Sequence, residues 1–252
     1  FVGQEIAYIS GKANFEDYFM LNLWNQVVRS QGGTAHIFVP YLPAARADRG
    51  IPLGLAPYRD LLVGAADGAE IHVLDAHSSL AVKHYEDRGA SVTNHRITDF
   101  PDLVRKVFPK YDGIIAPDRG AEGRSTAFAK ILEVPVFQAS KTRDFDSGAI
   151  TGFEVPDLEI PNGKYLLVDD ICDGGGTFIG LAQALARKYY PSKADLDLFV
   201  THGIFSNGLE PLEAPFRTIY TTNTFPQDVT LRTRPRLTEI DIKTTLIQEV
   251  VK

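Results

Sequence analysis

Short apolar runs alternate with longer amphipathic segments along the chain. EIAYIS (5–10), TAHIFVPYL (34–42), EIHVLDAH (70–77), DGIIAPD (112–118) and KYLLVDD (164–170) predict strands, as do DLDLFVTHGIF (195–205), TIYTTNTF (218–225) and EIDI (239–242). VPVFQASKTR (134–143) reads as a strand running into a loop. Between them, FEDYFMLNLWNQVVRSQG (15–32) predicts a helix, because Phe19, Leu23 and Val27 recur at helical spacing and Gly32 suits its C-cap. APYRDLLVGAAD (56–67), DFPDLVRKVF (99–108), GRSTAFAKILE (123–133), TFIGLAQALARKYY (177–190) and a closing TTLIQEVVK read as helices too. Strands alternating with helices imply βαβ units and mostly parallel sheets. The strands are too many for one compact sheet. Two α/β domains are expected, 1–95 and 96–242, with the closing helix 243–252 packing back on the first. Ligands of such folds sit at the carboxyl ends of strands. Asp75 and His77, Asp118, Asp169 and Asp170, and Thr201 and His202 all fall there.

Composition narrows the function classes. A formal net charge of −6 argues against a general nucleic-acid binder, so any phosphate site must be local. The single cysteine, Cys172, permits no intrachain disulfide and fits a reducing, cytoplasmic compartment. No apolar run approaches the roughly 20 residues of a membrane span, so no membrane partner is expected. The chain opens FVGQEIAYIS, almost inside a strand and without an initiator Met, which implies native residues upstream.

The densest chemistry lies in VDDICDGGGT (168–177). A strand, a glycine-rich turn and a helix start make an anion cradle: glycines let backbone N–H groups approach a phosphate, and the helix adds the positive end of its dipole. The Thr177 hydroxyl can cap that helix or bond a phosphate oxygen. Adjacent carboxylates suit hydroxyl groups or a hydrated Mg2+. Together they describe a sugar phosphate. A tight βα turn with Gly174–Gly176 present for backbone geometry alone is the plainer alternative. No Gly-Lys-Ser/Thr follows, which excludes a Walker A loop, and contiguous glycines fit the dinucleotide fingerprint poorly.

VDDICDGGGT resembles the PRPP-binding motif of type I phosphoribosyltransferases and PRPP synthetases. That resemblance implies ribose hydroxyls on Asp169 and Asp170, and the 5-phosphate on Asp173, Gly174, Gly175, Gly176 and Thr177. Further segments are similar to PRPP synthetases (ribose-phosphate pyrophosphokinases), in order along nearly the whole chain. YLPAARADR (41–49) looks like their ATP-binding flag, which implies ATP contacts from Arg46, Asp48 and Arg49. VLDAH (73–77) is similar to the segment whose His binds Mg2+–ATP, here His77. IIAPDRGAEGR (114–124) places Asp118 near Mg2+ or ribose. SKTRDF (140–145) looks like the start of the mobile catalytic loop, with Lys141 and Arg143 as its cations and GAITGFEV (148–155) as a flexible, weakly structured remainder. VTHGIFSNG (200–208) matches a stretch that follows the PRPP loop in synthetases.

The resemblance implies two similar phosphoribosyltransferase-like α/β domains, each a mostly parallel sheet flanked by helices. It implies Mg2+ held by His77, Asp118 and Asp170, ATP as co-substrate, catalysis by Lys141, Arg143 and His77, a homo-oligomer, and a place in nucleotide biosynthesis. The expected reaction moves pyrophosphate from ATP to the 1-hydroxyl of ribose 5-phosphate, releasing AMP. The chain departs from the family at the flag, where Ala47 replaces a glutamine and GIP follows Arg49. It departs again at Gly174, where the family has Thr. That change removes a hydroxyl and opens space beside the phosphate, which favours an extended acceptor such as ADP-ribose and a role in NAD metabolism. A catalytically silent regulatory paralogue and a phosphoribosyltransferase are the remaining alternatives.

Overall fold

The protein is described by a computed structural model covering residues 3–250, except 109, 144–149, 161 and 193 and the side chains of 143, 150 and 151. It divides into two units. One holds the chain up to Arg96 with Thr224–Pro226 and the segment from Ile242, and the other holds Ile97–Asn223 and Gln227–Asp241.

Unit 1 is built from β1 (Gln4–Tyr8), α1 (Phe15–Ser30), β2 (Thr34–Phe38), α2 (Ala56–Ala65), β3 (Glu70–Leu74), α3 (Ser79–Glu86) and β4 (Ser91–His95). Its sheet is parallel and runs in sequence order, β1-β2-β3-β4. Right-handed crossovers in one direction put every connecting helix on the same face. Tyr18, Leu21 and Val28 of α1, Leu62 of α2 and Tyr85 of α3 accordingly share a core with Ile37, Ile71 and Val73. The start of α1 is fixed by a capping box: Asn14 accepts from the Glu16 and Asp17 amides, and Asp17 accepts from the Asn14 amide.

The stripe expected to face the core, Phe19, Leu23 and Val27, is instead exposed at 64%, 43% and 48%. Tyr18, Leu21, Asn25 and Val28 are the buried set. Two apolar stripes exist on α1, and Asn25 lies buried because its amide donates to the Ala65 and Asp67 carbonyls. β4 and α3 had no counterpart in the sequence reading; SVTNH carries too little apolar residue to announce a strand.

Unit 2 contains α4 (Pro101–Val107), β5 (Gly113–Ala116), α5 (Glu122–Leu132), β6 (Val136–Gln138), β7 (Ser140–Arg143), β8 (Ile150–Glu154), β9 (Lys164–Cys172), α6 (Gly176–Lys188), β10 (Asp195–Gly203), α7 (Glu210–Glu213), β11 (Ile219–Thr222), α8 (Val229–Arg232) and β12 (Leu237–Ile240). Its six-stranded sheet is parallel throughout, in the order β12-β11-β10-β9-β5-β6. The chain goes outward from β5 to β6 and then returns to β9 on the other side. The gap between the β5 and β9 carboxyl ends is therefore the topological switch point, where such sheets bind ligands.

Both faces of this sheet are covered. Leu166 and Val168 pack with Phe108 and Phe128 on one side, and Tyr165 and Leu167 pack with Phe178 and Leu181 on the other. A strand buried on both faces reads as a continuous apolar run, which is why KYLLV is so prominent. The 150–154 segment is not weakly structured as expected: it is β8, paired antiparallel with β7. The closing α9 (Lys243–Val250) belongs to unit 1, where the Lys243 ammonium lies 4.4 Å from the Tyr8 ring centre.

Candidate active site

At the end of β9 the apolar run gives way to two carboxylates. Asp170 is buried, and the Asp169 side chain is 15% exposed. The Asp170 amide donates to Asp169 Oδ1 at 2.9 Å, and Arg124 Nη1 of α5 lies 3.5 Å from the same oxygen. Burial pushes the Asp169 carboxyl well above the usual range, and the neighbouring Asp170 adds to the rise; Arg124 offsets part of it. The Arg124 guanidinium thus offsets part of the cost of holding these two carboxylates out of water.

The chain then turns through Asp173 and Gly174 into Gly175, whose φ of +79° lies in the left-handed region. A Cβ there would also stand 3.1 Å from Leu212 Cδ2, so position 175 requires glycine twice over. Gly175 is the N-cap of α6, with no side-chain cap, and its carbonyl accepts from the Phe178 and Ile179 amides. Thr177 therefore lies inside the first turn and does not cap the helix. A Cβ on Gly176 would meet no protein atom within 4 Å, so the loop opens onto space at that point.

Gly174 differs from its expectation. A Cβ on it would stand 2.9 Å from Asn207 Nδ2, and the Asn207 amide donates to the Gly174 carbonyl at 3.3 Å. The space that a missing Thr side chain would leave is thus taken by an amide from the loop after β10. Thr201 and His202, near the end of β10, are buried, and the Thr222 hydroxyl donates to the Thr201 carbonyl.

Beside β9, the end of β5 presents Asp118. Lys141 of β7 donates to Asp118 Oδ2 at 2.5 Å, with the lysine side chain 13% exposed. Burial pushes the Asp118 carboxyl up, but the Lys141 ammonium and the Ala121 and Gly120 amides outweigh it, and the group lies below its ordinary value. Lys141 is thereby fixed against the carboxyl end of β5 in this structure. Arg143 ends β7, and its side chain lies outside the described residues.

The remaining expected residues belong to unit 1. Arg46 and Arg49 are exposed in the turn after β2. Asp48 is buried; Ser78 donates to its carboxylate, and the Ser78 hydroxyl in turn accepts from the Ala81 amide as the N-cap of α3. The His84 ring approaches the Asp48 carbonyl at 3.0 Å. Asp48 therefore anchors the flag turn to α3, and an ATP contact through its carboxylate does not follow from this placement. His77 is exposed between β3 and α3, and Asp75, two residues before it, has a φ of +45°, in the left-handed region that is uncommon for non-glycine residues.

The structure thus gathers Asp118, Lys141, Arg124, Asp169 and Asp170 at the carboxyl ends of β5 and β9 in unit 2, and Arg46, Asp48, Arg49 and His77 at those of β2 and β3 in unit 1. His77, Asp118 and Asp170, expected to share one ion, are divided between the units. Among the described residues, the group that could hold one ion is His36, Glu70 and His72. The sequence reading missed Arg124 and Asn207, because neither carries a signal of its own until α5 and the loop after β10 bring it to the β9 turn.

Comparison with known proteins bears on the fold and the family. The profile of the phosphoribosyl transferase domain matches residues 102–230, which spans unit 2 from α4 to α8. The ribose-phosphate pyrophosphokinase of Sulfolobus acidocaldarius is 26% identical over 243 residues, covering 93% of this chain and 78% of that protein. The ribose-phosphate pyrophosphokinase of Sulfurisphaera tokodaii is 29% identical over 220 residues, covering 84% and 71%. The crystal structure of phosphoribosylpyrophosphate synthetase from Mycobacterium smegmatis shares the fold, with a TM-score of 0.75, 23% identity, and coverage of 99% of this chain and 81% of that one. The chain belongs to the phosphoribosyl transferase domain family, as a divergent relative of the ribose-phosphate pyrophosphokinases.

Proposed function

We propose that the protein transfers the β,γ-pyrophosphoryl group of ATP to the 1-hydroxyl of ribose 5-phosphate. A bond forms between the C1 oxygen and the β-phosphorus, and AMP leaves with the oxygen that bridged the α- and β-phosphates. The observation that carries this reading is the switch point of unit 2, where a carboxylate pair and a glycine-lined helix start on β9 adjoin a lysine–aspartate pair at the end of β5.

In this reading Asp169 and Asp170 accept from the ribose hydroxyls. The Asp173–Thr177 loop and the first-turn amides of α6 take the 5-phosphate. Lys141 leaves Asp118 for the oxygens of the β-phosphate as charge builds there, and Arg143 adds a second cation; such transfers need alignment and positive charge more than covalent help. Arg46, Arg49 and His77 hold ATP, while Asp48 keeps the flag turn in place. Carboxylates such as Asp118 and Asp170 suit a hard divalent cation that keeps most of its waters, and they would hold Mg2+ in unit 2. Bound with the nucleotide, Mg2+ would neutralise phosphate oxygens.

ADP-ribose is the rival acceptor. Its support was the space beside Gly174, and Asn207 fills that space, so ribose 5-phosphate is favoured. The test is to incubate the protein with Mg-ATP and either ribose 5-phosphate or ADP-ribose and to follow AMP by chromatography. AMP with ribose 5-phosphate supports the reading. AMP with ADP-ribose alone replaces the acceptor, and AMP with neither points to a silent regulatory paralogue.

A further inference from the structure

The second face of the unit 1 sheet carries polar side chains in its interior. His36 pairs in register with Glu70, and His72 with Thr93, so these residues and His95 project from one side of β2, β3 and β4. His36 and His72 are buried, and the Glu70 side chain is 39% exposed at the edge of the group. His36 Nδ1 lies 3.1 Å from His72 Nε2, and Glu70 Oε2 lies 3.6 Å from the first and 3.9 Å from the second.

The carboxylate distances are too long for hydrogen bonds. They match the separations between ligand atoms around one small ion. A triangle with these three sides has a centre about 2.1 Å from each corner, the length of a zinc–imidazole bond. The outer contacts hold the ligands in orientation. The Thr93 hydroxyl donates to Glu70 Oε1 at 2.9 Å, which leaves Oε2 facing the histidines, and His72 Nδ1 meets His95 Nε2 at 3.1 Å, which aims Nε2 at the same point. All these residues sit on strands, so the triangle is held by the sheet and not by a loop.

We propose that His36 Nδ1, His72 Nε2 and Glu70 Oε2 bind one divalent transition-metal ion of the zinc class, bracing β2 against β3. Two imidazoles with one carboxylate select zinc, cobalt or nickel and disfavour Mg2+, which takes oxygen ligands in an octahedral shell. The site is independent of the proposed reaction and shares no residue with it. His95 and Thr93 are positioning residues.

The experiment titrates the full-length, metal-stripped chain with Co2+ and Zn2+ in excess Mg2+. One equivalent of Co2+ gives the absorption bands of a low-coordinate nitrogen–oxygen site, Zn2+ displaces it, and Zn2+ raises the thermal midpoint. Glu70→Gln, which keeps the shape and the partial exposure of the side chain, lowers affinity at least tenfold and abolishes the midpoint shift while folding normally. His36→Gln does the same. Absence of stoichiometric Co2+ and Zn2+ binding by the wild-type chain overturns the proposal. So does wild-type affinity in both Glu70→Gln and His36→Gln, since the metal would then sit elsewhere.

Discussion

The two parallel sheets put their polar residues to different uses. Unit 2 gathers Asp118, Asp169 and Asp170 toward the carboxyl ends of β5 and β9, and the buried Asp197 of β10 is satisfied by the Tyr111 hydroxyl and the Thr218 amide. Unit 1 has no reversal in its strand order and carries His36, His72 and His95 within the strands themselves. Polar groups at a strand end can remain short of partners, because a ligand can complete them. Those in the middle of a parallel sheet must be satisfied inside the fold, by side chains, backbone groups or an ion. Unit 2 therefore trades stability for binding at its edge, while the interior polar residues of unit 1 serve the fold.

Four predictions press on that contrast. Largest is Lys141→Ala: loss of the cation beside Asp118 is expected to lower kcat by about 10²–10³-fold, with ATP affinity retained, in steady-state AMP-release assays. Near-wild-type turnover would remove Lys141 from the chemistry. The same substitution withdraws the partner that holds Asp118 below its ordinary value. That stability is present above the ordinary carboxylate range and lost as pH falls through the folded value, so the melting difference from wild type narrows on acidification.

Asp169→Asn tests the trade itself. Asp169 is raised in the fold, so between its ordinary and folded values the native state holds a proton that the unfolded chain does not, and stability falls as pH rises through that window. Asp169→Asn is expected to abolish turnover and to melt higher than wild type near neutral pH, with the advantage shrinking as pH is lowered. A variant that melts lower at every pH would contradict the account of a strained binding edge.

Gly175→Ala places a Cβ in the left-handed region against Leu212 and is expected to cost about 1–2 kcal/mol in chemical denaturation. The smallest effect concerns Gly174→Thr. The new side chain must displace the Asn207 amide, the far end of a side chain on a loop, so a change of less than about threefold in the ratio of kcat/KM for the two acceptors is expected. A strong shift toward ribose 5-phosphate would restore the extended acceptor as the native one.

The residues that announced themselves in the sequence are those whose local pattern is sufficient. β9 is apolar on both faces up to two aspartates near its end, so VDDICDGGGT could be placed on strand, turn and helix without knowing its neighbours. Elements missed or misread depended on what lies across from them. Helical spacing on α1 offers two apolar stripes, and only packing against α2 and β2 selects Tyr18, Leu21 and Val28. SVTNH has a single apolar residue, and its register beside β3 is what makes it β4. Arg124, Asn207 and the histidines across β2, β3 and β4 are brought into place by long-range pairing, which no short window contains.

The central claim is that the switch point of unit 2 receives a ribose phosphate and adds pyrophosphate at its C1 oxygen. Phosphorus-31 NMR of a reaction containing Mg-ATP and ribose 5-phosphate tests it directly. The account predicts a diphosphate attached at C1, formed in equal amount with AMP and absent with Asp169→Asn. Release of AMP with no C1 diphosphate, or an unchanged spectrum with both acceptors, would contradict it.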